Sequence, residues 1–598
     1  MVKFTLFLIT ILTMSLIYSV GDEDLPSDLE NFYFGWIAFL SLVILSRCYF
    51  GFKNYIFKIP DVPVMSNSSP SSWIAKLFGY SHGYNINNPR EMMNMFEEKG
   101  PLVQCSHYGH HLLMISDPVT TKDILQNVHG KCTGSVPNSS SNIFKLEGEE
   151  WQKRRNALKR PFDHSAMNMN SVSVSIAKHV NSLCEELIAC VDGDVVPLDF
   201  LFSELSLNVL LKFAFGINSL EDLGYSSKEM RDEVANDLKI VFESIGNRFA
   251  SSTYLIQTLS FAPQFIFAAL SPILFFFPKT KTEILSNRRL RVLADKILQR
   301  MLVTDAIGEG ATPGSMSFAF VQKLYELPTI GYYHMLNEIC AILLGGYQTT
   351  AHALSFFFYS LTFYDGGHGM DVCRDAMVRL HNEIYEEDGQ STSPQESVAE
   401  EVATYLKANS TLPNIIEACL KESMRVFPVT ANGLFREIKT HGGYSAQTSS
   451  GTNILIPEHT CVLLHTYTLH HNSTSWDSPS TWMPDRWLAN DIKSVSSDAK
   501  QEIHQSALDD MVSAKAYTGC GTRRNEISYL PFGSGPRSCL GMNLALLEIR
   551  MAIATILLSG ISFELADEIH SSPSKCATTA FALKPVRDLP VYVRKRSL

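Results

Sequence analysis

Apolar residues recur at three- and four-residue spacing through most of the chain from about Pro60 onward. This spacing predicts helices over Glu150 to Lys159, Ile176 to Cys190, Thr282 to Leu302, Leu412 to Val426 and Met542 to Leu558. Strand-like runs are short: Leu112 to Ser116, Asn453 to Ile456, Cys461 to Leu464 and Val591 to Val593, flanked by Gly, Pro and Asn. The pattern predicts a mainly α fold, one large helical domain over residues 60–598 with small peripheral β-sheets. Polar, aperiodic stretches at Asp305 to Ser315, Asp388 to Ser397 and Asn490 to Glu526 read as surface insertions, and we find no internal repeat.

Four uncharged runs need separate treatment. Phe4 to Val20 follows a single Lys and ends at Ser19-Val20-Gly21, so residues 1–20 read as a signal-like segment or a first membrane segment. After an acidic connection, Asn31 to Ser46 reads as a transmembrane anchor, with a buried globular helix as the alternative. Lys3 precedes these runs, and Arg47, Lys53 and Lys58 follow, which places the chain after Lys58 on the cytosolic side. The sequons at Asn67, Asn138, Asn409 and Asn472 are then coincidental. Phe249 to Pro278 holds three prolines and reads as short segments lying on or dipping into a membrane surface. Ile339 to Tyr364 carries Gly345, Gly346, Gln348, Thr349, Thr350 and His352, which lipid would penalise, and reads as one long helix buried in protein.

Composition narrows the class. With 50 basic and 61 acidic residues, the net charge of −11 excludes a globally basic nucleic-acid binder. An apolar share of 45% excludes a disordered chain. The 12 cysteines form no Cys-x-x-Cys pair, as expected for buried thiols in a reduced compartment.

One cysteine has a chemical setting of its own. Phe532-Gly-Ser-Gly535-Pro-Arg537-Ser-Cys539-Leu-Gly541 is a glycine-rich loop running into the helix predicted from Met542. Unpaired amides at a helix start favour a thiolate, the form that binds a metal. Gly535 and Gly541 let the backbone pass close to a flat ligand, Phe532 can pack on it, and Arg537 can meet an anionic edge. A buried structural cysteine and a phosphate loop are the alternatives; no Lys follows the glycines, and the dinucleotide spacing fails at Ser538.

This loop matches Phe-x-x-Gly-x-Arg-x-Cys-x-Gly at every fixed position, and so resembles the cytochrome P450 family of haem-thiolate monooxygenases. The resemblance implies a cytochrome P450 fold behind the membrane anchor, haem b held by Cys539 as the metal ligand, and Phe532 and Arg537 supporting the ring and a propionate. Trp151 and Arg155, four apart on a helix, resemble the family's element over the propionates, and Arg436 is similar to a further propionate contact. Glu422 and Arg425 resemble part of a buried triad completed by Arg486 of Pro484-Asp485-Arg486-Trp487. Leu583 to Val591 resembles the closing strands.

Gly345 to Thr350 resembles the family's oxygen-side helix, which implies a proton-delivering role for Thr349; back-bonding of its hydroxyl to a helix carbonyl is the alternative. The usual acid is replaced by Gln348, whose amide cannot exchange a proton at neutral pH. His352, one turn on, is a candidate proton source or else a satisfied core histidine. The resemblance implies a membrane-bound monooxygenase using dioxygen, a lipophilic small molecule, and NADPH electrons from a separate reductase or a ferredoxin, with no nucleic acid. Lys153, Arg154 and Lys159 are candidates for attracting an acidic reductase, or else a solvated helix face. The endoplasmic reticulum is the leading location, with a plastid or other organelle membrane open. Two rivals remain: an electron-independent peroxide isomerase or dehydratase on the same fold, and a non-enzymatic haem sensor.

Overall fold

The computed structural model describes residues 59–63, 88–107, 110–131, 142–159, 162, 170–191, 193–250, 278–307, 331–363, 368–386, 397–488, 528–571, 575–579 and 582–595. Both N-terminal apolar runs, most of 249–278 and the insertion at 490–526 lie outside them, as does nearly all of 388–397 and of 305–315. No helix among the described residues is long and apolar enough to cross a membrane.

The chain enters through α1 (Pro89–Lys99), the hairpin β1 (Leu102–His107) and β2 (His110–Ile115), and α2 (Pro118–Asn127). Asn88 caps α1 and Asp117 caps α2, each with a proline in the first turn where no amide is needed. The helical body follows: α3 (Gly148–Lys159), α4 (Asn170–Ala189), β3 (Val196–Pro197), α5 (Leu198–Phe215), α6 (Lys228–Ala250), α7 (Pro278–Ile307), α8 (Tyr332–Gly346), α9 (Gln348–Phe363), α10 (His368–Glu386), α11 (Val398–Asn409) and α12 (Asn414–Val426). Then come β4 (Leu434–Glu437), the hairpin β5 (Tyr444–Gln447) and β6 (Asn453–Ile456), β7 (Cys461–Leu464), α13 (Thr466–His470), α14 (Met542–Leu558), β8 (Ile561–Leu565), β9 (Ala577–Thr579), β10 (Leu583–Pro585) and β11 (Pro590–Lys595). The mainly α expectation holds, and all five predicted helices and four predicted strands are present within a few residues.

α9 is the hub, packed against α5, α10, α12 and α14. It is buried on nearly all sides because its sequence is apolar all round, which suits a helix inside the protein. Its rings lock into place: Phe356 stacks on Phe427 at 4.6 Å, and Phe358 meets Phe563 edge-on at 5.1 Å. The largest described sheet runs β1-β2-β7-β4, with β2 and β7 parallel and the other pairs antiparallel. A second sheet runs β3-β11-β8.

One expectation is corrected. Residues 339–364 do not form a single helix: α8 ends at Gly346 and α9 begins at Gln348, with Tyr347 at φ −87°, ψ −73° between them. The paired glycines weaken the helix there, and close packing holds the break, since a Cβ on Gly346 would stand 2.9 Å from Leu210.

Candidate active site

The loop before α14 is tightly built. The Cys539 amide donates to the Phe532 carbonyl at 2.8 Å and the Ser538 amide to Gly535 at 3.0 Å, around a single 3-10 turn over Gly535–Arg537. Phe532 packs against the main core. Gly535 has φ +72°, and a Cβ there would lie 2.4 Å from the carbonyl oxygen of Leu125. The close approach of α2 is thus one reason this position needs glycine. A Cβ on Gly541 would meet no protein atom nearer than 3.9 Å, so nothing in the chain itself demands that glycine.

Cys539 lies two residues before Gly541, the N-cap of α14. Its side chain is solvent-accessible. Burial nevertheless pushes its thiol up, with the Gly541 amide and Arg155 pulling the other way. The Gly541 amide at the helix start favours the thiolate, but burial outweighs it.

Basic groups converge beside this loop. Arg155 Nη2 donates to the Ser538 carbonyl at 2.9 Å. Arg537 lies over the Trp151 ring at 4.0 Å, and Arg155 is 5.6 Å from the same ring. Arg436, on β4, is 2% exposed and donates to the Phe435 carbonyl. All three guanidinium nitrogens of Arg537 are buried without a hydrogen-bond partner. Desolvation and the charge of Arg436 lower the Arg537 guanidinium to about 10. A buried cation with three idle donors beside two more cations calls for an anion with several oxygens. His129, whose imidazole is pushed down by burial and by Arg537 and Arg436, borders the same cluster. Nothing in its local sequence marked it.

The structure brings Glu422, Arg425 and Arg486 together. Glu422 accepts from Arg425 at 2.8 and 2.9 Å and from Arg486 at 3.0 Å. The Trp487 indole and the Met483 amide complete its shell, each at 2.9 Å. By contrast, Arg154 is not a surface cation: it is 2% exposed and pairs with Glu338 of α8 at 2.7 Å. Lys153 pairs with Glu149 at 2.8 Å, while Lys159 is exposed.

On the oxygen-side helix, the Thr349 hydroxyl donates back to the Gly345 carbonyl at 2.9 Å. A Cβ on Gly345 would stand 2.9 Å from the Phe144 ring. Gln348 is 3% exposed and its side-chain oxygen has no partner. His352 is bonded not to a carbonyl but to Asp199 of α5, Nδ1 to Oδ1, at 2.9 Å. Asp199 and Glu338 escaped the sequence reading, although each is an acid within an apolar helix, which is a usable signal.

Residues 69–589 match the family model described as Cytochrome P450. The chain belongs to the cytochrome P450 family. It is 22% identical over 536 residues to "Cytochrome P450 3A12" of Canis lupus familiaris, covering 87% of this chain and 89% of that one. It is 24% identical over 565 residues to "Cytochrome P450 3A6" of Oryctolagus cuniculus, covering 91% and 93%. To "Putative cytochrome P450 CYP13A7" of Caenorhabditis elegans it is 22% identical over 548 residues, covering 83% and 90%. As a cytochrome P450 it uses haem b, with NADPH electrons arriving through a redox partner. The described residues fit that group, since an accessible thiol suits the iron and the idle Arg537 donors suit carboxylates on the ring.

Proposed function

We propose that this cytochrome P450 is a membrane-anchored monooxygenase that hydroxylates or epoxidises a lipophilic substrate. The observation that carries the reading is the Cys539 loop flanked by Arg537, whose three buried nitrogens lack a partner. Cys539 would ligate the iron, and Arg537, Arg155, Arg436 and Trp151 would hold the ring's propionates. Phe532, Gly535 and Gly541 would shape the loop around the ring. When bound, haem supplies the redox chemistry that splits dioxygen. The chain's part would be to orient the substrate, exclude water and deliver protons, with the Thr349 hydroxyl, which bonds the Gly345 carbonyl in this structure, as a donor once released. Electrons come from an NADPH-dependent reductase or a ferredoxin; with Arg154 buried, Lys159 and neighbouring surface charges would steer it. The two N-terminal apolar runs support an anchor in the endoplasmic reticulum, catalytic domain to the cytosol.

The first test is the carbon monoxide difference spectrum of the reduced protein in membranes. Wild type should give the long-wavelength Soret band of a thiolate ligand, and Cys539→His should lose it. A folded wild type without any haem band would overturn the reading. Gln348 at the acid position favours a second reading, an electron-independent peroxide isomerase. Turnover of a fatty-acid hydroperoxide without NADPH, and none of any substrate with reductase, would establish that rival instead.

A further inference from the structure

Asp199 lies in the first turn of α5, an otherwise mostly apolar helix, and is 3% exposed. Its Oδ1 accepts from His352 Nδ1 at 2.9 Å and from Ser355 Oγ at 2.6 Å, tying α5 to α9 through an acid–imidazole pair inside the core. Burial alone would raise this carboxyl, but His352, Ser355 and Lys239 outweigh burial and hold it below the ordinary carboxylate range. An ionised carboxylate only accepts, so Nδ1 of His352 carries the shared proton. Nε2 is left as the ring's exchangeable position. That nitrogen is buried without a partner.

Most buried polar side-chain atoms have a partner, and among the described residues only His465 likewise leaves a buried ring nitrogen idle. Here the idle Nε2 has a complement one helical turn away: Gln348 Oε1, on the same side of α9, is a buried acceptor without a partner. Gln348 opens α9 beside Tyr347, at the break in the helix, and Thr349 follows it. Among the described residues, Lys239 and Tyr347 act on the pair. Lys239, whose charge lowers the Asp199 carboxyl, bonds Asp588 at 2.8 Å, with side chains 31% and 29% exposed. Tyr347 also borders Asp199, and Glu204 acts on that phenol; burial keeps it protonated.

We propose that Asp199 and His352 form a proton store for the oxygen-side helix, with His352 doing the work an acid at position 348 would do and Asp199 as its positioning residue. This rests on the monooxygenase reading. In each discharge the Nε2–H bond of His352 breaks and its proton leaves toward the Gln348–Thr349 segment. The ring stays as neutral imidazole with Nδ1–H on Asp199. A solvent proton then re-forms Nε2–H, so one proton enters for each that leaves and no electrons move.

The experiment uses full-length holoenzyme with a reductase, comparing Asp199→Asn, Asp199→Glu and His352→Gln with wild type. Asn keeps the size and the accepting oxygen but not the charge. If the pair stores protons, Asp199→Asn and His352→Gln should raise the share of electrons released as peroxide several-fold, while Asp199→Glu restores part of the coupling. Adding Gln348→Glu to His352→Gln should also recover coupling. A second readout needs no turnover: infrared spectra of His352→Gln should gain a protonated-carboxyl band at neutral pH that Asp199→Asn removes from the double variant. A normal carbon monoxide band with an unchanged peroxide share in both Asp199→Asn and His352→Gln would overturn the store. Loss of that band from wild type would instead overturn the monooxygenase reading beneath it.

Discussion

Glu422 shows how much one side chain can organise. Its two oxygens accept five hydrogen bonds, from two nitrogens of Arg425 and from Arg486, Trp487 and the Met483 amide. Arg425 spends its remaining donors on the carbonyls of His470, Pro479 and Thr481, so the segment after α13 hangs on one ion pair. Such a pair need not stabilise relative to an apolar replacement, but breaking it strands a buried charge. Glu422→Gln should therefore cost about 3–5 kcal/mol, read as a lower denaturant midpoint at unchanged slope. Arg486 is 10% exposed, so Arg486→Ala should cost less. The Glu422–Arg425 spacing was legible in the sequence, because i,i+3 places both on one face. Arg486 lies 64 residues away and was reached only by resemblance, and the Trp487 indole not at all, since no local pattern encodes which distant donor fills a carboxylate's last lone pair.

Elements with a strong period were the readable ones. α12 and α14 announce themselves through apolar spacing, as do β2 and β7, whose residues are buried on both faces of the largest sheet. β1, β4 and β5 were not seen, because mixed polar residues such as Gln104, Arg436 and Gln447 interrupt their alternation for reasons that lie in tertiary contacts. Gln104, for example, binds the Ile59 and Val62 carbonyls. The break at Tyr347 was hidden for the same reason: it depends on Leu210 and Phe144 packing against two glycines. Of the candidate site, the Cys539 loop and Trp151–Arg155 were legible as contiguous motifs, whereas Asp199 offered only the weaker signal of an acid in an apolar helix and His129 enters only through folding. The loop glycines can be told apart experimentally. Gly535→Ala forces a Cβ at φ +72° to within 2.4 Å of the Leu125 carbonyl. It should cost at least about 1–3 kcal/mol in backbone strain and shift α2, lowering the thermal midpoint of the haem-free chain. Gly541→Ala, with φ −87° and open space to 3.9 Å, should leave that midpoint unchanged, so any effect on haem content would report contact with the ring alone.

At the scale of the whole molecule, two buried acids set opposite limits on stability. Glu417 would be raised by burial, but Arg550, at 2.6 Å, outweighs it and holds the carboxyl low. Its contribution is present above the ordinary Glu value of about 4.3 and is lost as pH falls through the depressed folded value. Glu548 is the reverse case. It sits in the apolar helix α14, 2% exposed, with the Ser206 hydroxyl of α5 at 2.6 Å. Burial pushes its carboxyl up to about 8, Ser206 offsetting only part of that rise. The folded protein therefore holds the neutral acid at a pH where the unfolded chain has already ionised. The sign follows: stability from this group is full below about 4.3 and is lost as pH rises through about 8. Glu548→Gln keeps the shape and the acceptor for Ser206 but cannot ionise. Its unfolding midpoint should lose this alkaline decline, so that the wild-type curve falls relative to the variant between about pH 5 and 8. Curves that stay parallel across that interval would mean that Glu548 is already ionised in the folded state. Because α14 begins directly after the Cys539 loop and α5 carries Asp199, that outcome would also place a buried charge between the two sides of the candidate site.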